Sequence, residues 1–147
     1  MRKTLWKITP AIAALALAGQ LWAGGFYLVL GNPDASAEAR KLHAVLTIKA
    51  TGCHDPATAR LTATAIGMVN GERREIALKV DALSTPDMFA LAQQWPKEGR
   101  WVIKLSANNG EQFTNSLVSA GPQGIDRNHD RADQRAFTDS DIDAMLK

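Results

Sequence analysis

From Leu42 onward, apolar and polar residues alternate with a period of two, which is the pattern of half-buried β-strands. The clearest run is Arg100–Ala107, in which tryptophan and aliphatic residues alternate with basic and small residues. No long helical period interrupts these runs, and short turn sequences separate them. The pattern therefore predicts an all-β, antiparallel sandwich. The six predicted strands are Leu42–Thr51, Thr58–Val69, a return strand that ends near Asp81, Met88–Trp95, Arg100–Ala107 and Gln112–Ala120.

Two of these segments carry specific expectations. Asn70-Gly71 predicts a hairpin with a type I′ turn, because both residues accept a positive φ angle. In the last strand, Phe113 and Leu117 are predicted to point into the core. Met88–Trp95 is predicted as a strand, although its composition also suits a short helix.

The body of the chain resembles the immunoglobulin-like modules that are common in exported bacterial proteins. The residues that carry this resemblance are Trp95-Pro96, the run Gly99–Leu105 and the closing Asn-Gly hairpin. The resemblance covers roughly residues 40–121 and concerns architecture. It implies an immunoglobulin-like sandwich of about six to seven strands, and it implies no particular function.

The C-terminal region differs in composition from the strands. Gly121–Gly124 is predicted to end the sheet region, so that residues 122–147 form a polar tail. Within the tail, Thr138 and Asp141 have the spacing of a capping box, which predicts the start of a short helix. Its apolar stripe consists of Ile142, Met145 and Leu146.

The N-terminal region predicts export. Three basic residues, Arg2, Lys3 and Lys7, precede an apolar run, Ile8–Leu30. Residues 1–37 are accordingly predicted to be a signal peptide or an N-terminal membrane anchor. Cleavage after Ala37, within the A-x-A pattern of residues 35–37, would remove the whole run, whereas cleavage after Ala23 would leave its last residues on the mature chain. An uncleaved segment would anchor the protein in the inner membrane through residues 8–30.

Charge excludes two classes of partner. The chain carries a formal charge of +2, and the first 37 residues account for all of it. The predicted sandwich and tail are therefore neutral overall, which argues against nucleic-acid binding and against a polybasic contact with lipid. Contact with a membrane is expected only through an uncleaved N-terminal segment.

A candidate metal site lies at the turn between the first two predicted strands. Cys53 is the lone cysteine, and His54 follows it directly. Thiolate and imidazole are good ligands for Cu(I) and Zn(II), although a third ligand must come from elsewhere. The simpler interpretation is a half-buried thiol beside a surface histidine.

Other chemical signals are weaker. Asp126, Asn128 and Asp130 match the first half of a calcium loop, but the later positions of that loop do not fit. Trp95 and Trp101 could form a binding platform, but their alternation favours core packing. No nucleophile elbow or paired catalytic residues stand out, so no catalytic residue and no resident cofactor is predicted.

These observations predict an exported, non-catalytic β-sandwich module in the periplasm or at the cell surface. It is expected to bind a protein or another ligand in the cell envelope, with another envelope protein as the leading candidate, through a sheet face or an edge strand. The alternative is a periplasmic copper- or zinc-binding protein that uses Cys53 and His54.

Overall fold

The computed structural model describes residues 25–52 and 59–147, and within them the chain forms nine β-strands and two short α-helices. All strand pairs are antiparallel, so the predicted all-β sandwich is confirmed. The first sheet has the order β1 (Tyr27–Gly31), β2 (Ala44–Thr51), β6 (Met88–Ala92) and β5 (Asp81–Ala82). The second has the order β4 (Glu72–Leu78), β3 (Arg60–Val69), β7 (Arg100–Asn109), β8 (Gln112–Gly121) and β9 (Gly124–Asp133).

The strand order is that of an immunoglobulin-like sandwich. In their order across the first sheet, β1, β2, β6 and β5 correspond to strands A, B, E and D of that fold. Strands β4, β3, β7 and β8 correspond to C′, C, F and G. Strand β9 is an addition beyond G, and together with the very short β5 it raises the count above the six to seven strands predicted.

The main core lies between the two sheets. Trp95 and Trp101 are both buried in it, as their alternating positions predicted. The indole N–H of Trp101 donates to the carbonyl of Glu98 at 2.9 Å. The Trp101 ring lies directly over Gly67 on the neighbouring strand, where any Cβ would overlap the ring. A glycine is therefore required at this close approach.

Local turn and strand predictions are confirmed at two places. Asn70 and Gly71 have φ angles of 52° and 81°, as a type I′ turn requires, and they join β3 to β4. Residues Met88–Ala92 form a strand, not a short helix, and pair with both β2 and β5.

The predicted inward face of β8 is wrong. Phe113 is 53% exposed and lies on the outer face of the second sheet. Leu117 is buried, but on the same outer face, beneath the C-terminal helix. The residues of β8 that alternate with them, including Val118 and Ala120, face the main core. Apolar residues on both faces of this central strand obscured its period of two.

The prediction that the sheet ends at Gly121 is also wrong. The chain turns at Gly121–Gly124 and continues as β9, which pairs with β8. Most of β9 is exposed, so it carries polar and charged residues on both faces. A strand of this kind has no apolar alternation, which explains why the sequence pattern suggested a polar tail.

The predicted C-terminal helix is confirmed as α2 (Asp139–Leu146). Thr138 and Asp141 form the expected capping box. The Ile142 side chain packs on the outer face of the second sheet, in a cluster with Ile66, Val102 and Leu117.

The start of the described chain belongs to the sandwich. Residues Tyr27–Gly31, which end the predicted apolar segment, form β1 and pair with β2. A short turn and helix α1 (Ala37–Lys41) then connect β1 to β2. Residues 1–24, which hold most of the predicted signal or anchor segment, lie outside the described residues. In the part of the chain that the structure describes, no helix is long and apolar enough to cross a membrane.

Candidate functional site

The two sheets have four edge strands, namely β1, β5, β4 and β9. An edge strand exposes backbone N–H and C=O groups that can pair with another chain. Proteins block such edges with short strands, charges and bulges. A comparison of the four edges therefore shows which of them is open to a partner.

Three of the edges carry such protection. Strand β5 is only two residues long. Strand β4 begins with four exposed charged residues, Glu72, Arg73, Arg74 and Glu75. Strand β9 is rich in aspartate and arginine, and its register with β8 shifts between Leu117 and Ser119. Each of these three edges is poorly suited to pairing with another strand.

Strand β1 carries none of these devices. Its sequence, Tyr27–Gly31, has no charged residue, and its register with β2 is continuous over all five residues. Tyr27 is 49% exposed and Val29 is 46% exposed on the outer face of the first sheet. Aromatic and β-branched residues of this kind favour cross-strand contacts.

The hydrogen bonding of β2 shows how the backbone of β1 is oriented. The N–H of Ala50 donates to the carbonyl of Asp87, on the β6 side, at 2.9 Å. Because backbone groups alternate sides along an antiparallel strand, the neighbouring residues of β2 point their N–H and C=O groups towards β1. The registered pairs then direct the backbone groups of Leu28 and Leu30 away from β2. Strand β1 therefore directs two N–H and two C=O groups towards its open side.

Local interactions hold β1 in place. Phe26 and Leu28 are buried in the main core. After β1, the Asn32 side chain accepts the N–H of Asp34 and caps the short turn that begins at Pro33. The chain therefore leaves the sheet at a defined point and turns back towards β2.

Helix α1 covers part of the outer face of the first sheet. The Ser36 side chain caps its start, and Ala39 packs in a buried cluster with Ala90. The Glu38 carboxylate accepts hydrogen bonds from the side chain and the backbone N–H of Ser84, and these bonds lower the pKa of Glu38. The face beside Tyr27 and Val29 stays exposed.

Two small cavities lie next to the start of β1. One, of about 240 Å³, is lined by Gly25–Tyr27, Thr114 and residues 132–134. The other, of about 200 Å³, is lined by Phe26, Gln112 and the exposed Phe113, among others. The side-chain oxygen of Gln112 is buried and has no hydrogen-bond partner among the described residues. This end of β1 thus combines aromatic surface with an unused acceptor.

A larger groove, of about 550 Å³, lies between β9 and α2. The Asp126 carboxylate is already engaged there, since it accepts the N–H of Asn128 at 2.9 Å and contacts Nδ1 of His129 at 2.7 Å. These two interactions lower the pKa of Asp126, with the His129 contact contributing most. Each oxygen of Asp126 thus has one local contact, and the calcium-loop hypothesis stays a prediction.

The predicted metal ligands Cys53 and His54 lie outside the described residues. His43 is exposed at the end of α1, where it has a φ angle of 52°. Across residues 25–52 and 59–147, no three His, Cys, Asp or Glu side chains come together as a metal site. The copper or zinc hypothesis stays a prediction.

The sequence pattern missed Tyr27 and Val29 as surface residues, because they lie within one continuous apolar run. The only signal was the break at Gly31-Asn32-Pro33, which marks the end of that run.

Comparisons with protein-family models, curated proteins and solved structures find no match to this chain.

Proposed function

We propose that this protein is an exported, non-catalytic binding module that docks an extended segment of another envelope protein along β1. The observation that carries the proposal is the contrast among the edge strands, since β1 alone among the four lacks charges, a bulge and extreme shortness. Strand addition at an open edge is a common mode of peptide recognition.

In this mode the partner's backbone pairs with the outward N–H and C=O groups of Leu28 and Leu30. Alternate side chains of the partner then lie beside Tyr27 and Val29 on the outer face of the sheet. Backbone hydrogen bonds supply affinity, and the side-chain contacts supply specificity. An uncharged segment with alternating β-branched or aromatic residues suits this surface best.

The position of β9 favours a single strand over a second copy of this chain. Strand β1 packs against β8 across the sandwich, and β9 is the next strand beyond β8. Neighbouring strands lie about 4.8 Å apart and packed sheets about 10 Å apart. If a second copy of this chain paired its β1 with the β1 of the first copy, the two sheets that contain β8 would also meet. The β8 strand of the second copy would then overlap β9 of the first copy. A lone extended segment carries no second sheet and avoids this overlap.

Export rests on the sequence of residues 1–37, with its basic start, apolar run and small-residue exits. The neutral charge of the remaining chain is compatible with an envelope protein as partner and gives no attraction to nucleic acid. We place the module in the periplasm or at the cell surface.

Site-specific photocrosslinking tests this function. A photoreactive phenylalanine analogue replaces Val29 in the full chain, and Met68, which is 38% exposed on the second sheet, receives the same analogue as the matched control. We expect an adduct with one envelope protein from position 29, joined to an extended segment of that protein. We expect no such adduct from position 68.

The proposal fails if both positions give the same adducts, or if position 29 crosslinks only to a second copy of this chain. A second variant guards against chance proximity. Tyr27→Lys in the position-29 protein adds the kind of charge that protects natural edges, so it should abolish the adduct while the fold is retained.

A copper- or zinc-binding function based on Cys53 and His54 is our second proposal. It is supported by the adjacency of a thiol and an imidazole in an exported chain.

A further inference from the structure

We infer that the docked segment directs alternate side chains inward between the two sheets, and that the cavity of about 240 Å³ beside Phe26 anchors one apolar side chain of that segment. This anchor rests on the proposed function, and it specifies which side chains the partner must carry. Tyr27 and Val29 contact the outer face of the segment. The anchor binds its inner face, which lies over β9.

The second sheet extends one strand beyond the first sheet on this side of the sandwich. Strand β1 is the edge of the first sheet and packs against β8, whereas β9 lies beyond β8. Ala132 of β9 pairs with Ser116, which has the same orientation along β8 as the core residue Val118. Paired residues share a face, so Ala132 faces inward. It is nevertheless exposed, because the first sheet leaves this part of β9 uncovered.

The cavity lies between the start of β1 and the end of β9. It is lined by Gly25–Tyr27, by the buried Thr114 of β8 and by residues 132–134. Of the described residues that line it, only Asp133 is charged, and its carboxylate already contacts Nε of Arg135 at 3.0 Å. An apolar cavity of about 150 Å³ is large enough to hold benzene. The cavity beside Phe26 therefore suits one aliphatic or aromatic side chain.

The register of a docked segment brings one of its side chains to this cavity. Segment residues that pair with Leu28 and Leu30 point inward, because paired residues share a face and both leucines contact the main core. Two residues further along, the same alternation reaches the position opposite Phe26, whose side chain is also inward. A strand added there lies about 4.8 Å from β1, so its inward side chain lies in the space over Ala132.

Filling the cavity tests the anchor in the full chain that carries the photoreactive analogue at position 29. Ala132→Phe fills the cavity from β9. Ala136→Phe is the matched control, because Ala136 is exposed and lies outside the cavity lining. We expect the yield of the position-29 adduct to fall about tenfold in Ala132→Phe, since one buried apolar side chain is displaced. The yield should stay unchanged in Ala136→Phe, and circular dichroism of both purified variants checks the fold.

A second measurement does not depend on the folding of Ala132→Phe. The photoreactive analogue replaces Gln134, which is exposed at the rim of the cavity, in the otherwise unchanged chain. We expect an adduct with the same segment that position 29 labels, on an apolar residue. Because Val29 and the cavity lie on opposite faces, the two labelled residues should be an odd number of residues apart.

An unchanged position-29 adduct in a folded Ala132→Phe variant would overturn the anchor and leave the proposed function standing. An equal loss in Ala136→Phe would overturn it too. So would the absence of an adduct from position 134, or an adduct on a charged residue or on the face that position 29 labels. If the chain with the analogue at position 29 and no other substitution gives no adduct, the proposed function fails and the anchor fails with it. The two failures are therefore distinguishable.

Discussion

Replacement of Phe26 by alanine should destabilise the protein strongly. Phe26 lies one residue before β1, within the apolar run that looked removable from sequence, yet its side chain is only 3% exposed and packs in the main core. Burial of a phenylalanine contributes about 1.5–3 kcal/mol of transfer free energy. The cavity left by truncation adds to this, so Phe26→Ala should lower the free energy of unfolding by about 3–5 kcal/mol.

Phe113→Ala is the matched control, because this phenylalanine is 53% exposed on the outer face of the second sheet. Its truncation should change the free energy of unfolding by less than about 0.5 kcal/mol. Urea unfolding of the purified protein, followed by circular dichroism, measures both values. For a domain of this size, each kcal/mol corresponds to about 3–6 °C, so the melting temperature of Phe26→Ala should fall by about 9–30 °C.

Equal stability of the two variants would refute this reasoning. It would mean that residues 25–31 are not part of the cooperative fold. The assignment of β1 as a structural and docking strand would then be wrong. A large loss in Phe26→Ala with an unchanged Phe113→Ala is the outcome that burial predicts.

Four further predictions concern other parts of the molecule. Ile142→Ala should cost about 2–4 kcal/mol in urea unfolding, because it removes the buried contact of α2 with the second sheet. Thr138→Ala should cost about 1 kcal/mol, because it removes the N-cap of that helix. Hydrogen bonds lower the pKa values of Glu38 and Asp141 in the folded protein. The stability that these two carboxylates provide is therefore present above their unfolded pKa values, near 4, and is lost as the pH falls through their lower folded pKa values. Stability measured against pH should therefore decline on acidification, and less steeply in Asp141→Asn. If the metal proposal holds, Cu(I) or Zn(II) should raise the melting temperature of the wild type by several degrees and leave Cys53→Ser unchanged.

Those parts of the fold with one buried face were predictable from sequence. In β7, every second residue from Trp101 onward points into the main core, as the period of two indicated. These residues are Trp101, Ile103, Leu105 and Ala107. The turn at Asn70-Gly71 was predictable because few residue pairs accept two positive φ angles. The capping box of α2 was predictable for a similar reason, since it is a local pattern of two side chains and two N–H groups.

The errors have physical causes in tertiary structure. Helix α2 covers the outer face of the second sheet, so β8 is apolar on both sides and Leu117 gave no indication of which face was inner. Strand β9 is exposed over most of its length, so it carries no apolar face at all. In both strands the burial is decided by a distant segment and not by the local pattern.

The candidate site was only partly predictable. Binding through a sheet face or an edge strand was expected, but β1 was hidden in an apolar run that also resembles a membrane segment. Local periodicity could not separate Phe26, which is buried, from Tyr27, which is half exposed. The distinction depends on which strand lies beside β1, and that is β2, some twenty residues later in the chain.

Amide hydrogen exchange of β1, with and without the captured partner, tests the central claim most directly. The N–H groups of Leu28 and Leu30 point away from β2, so in the free protein they should exchange faster than those of Val29 and Gly31. Addition of the partner should slow exchange at Leu28 and Leu30 and leave Met68 unchanged. Slowed exchange along β4 or β9, with no change at Leu28 and Leu30, would contradict docking on β1.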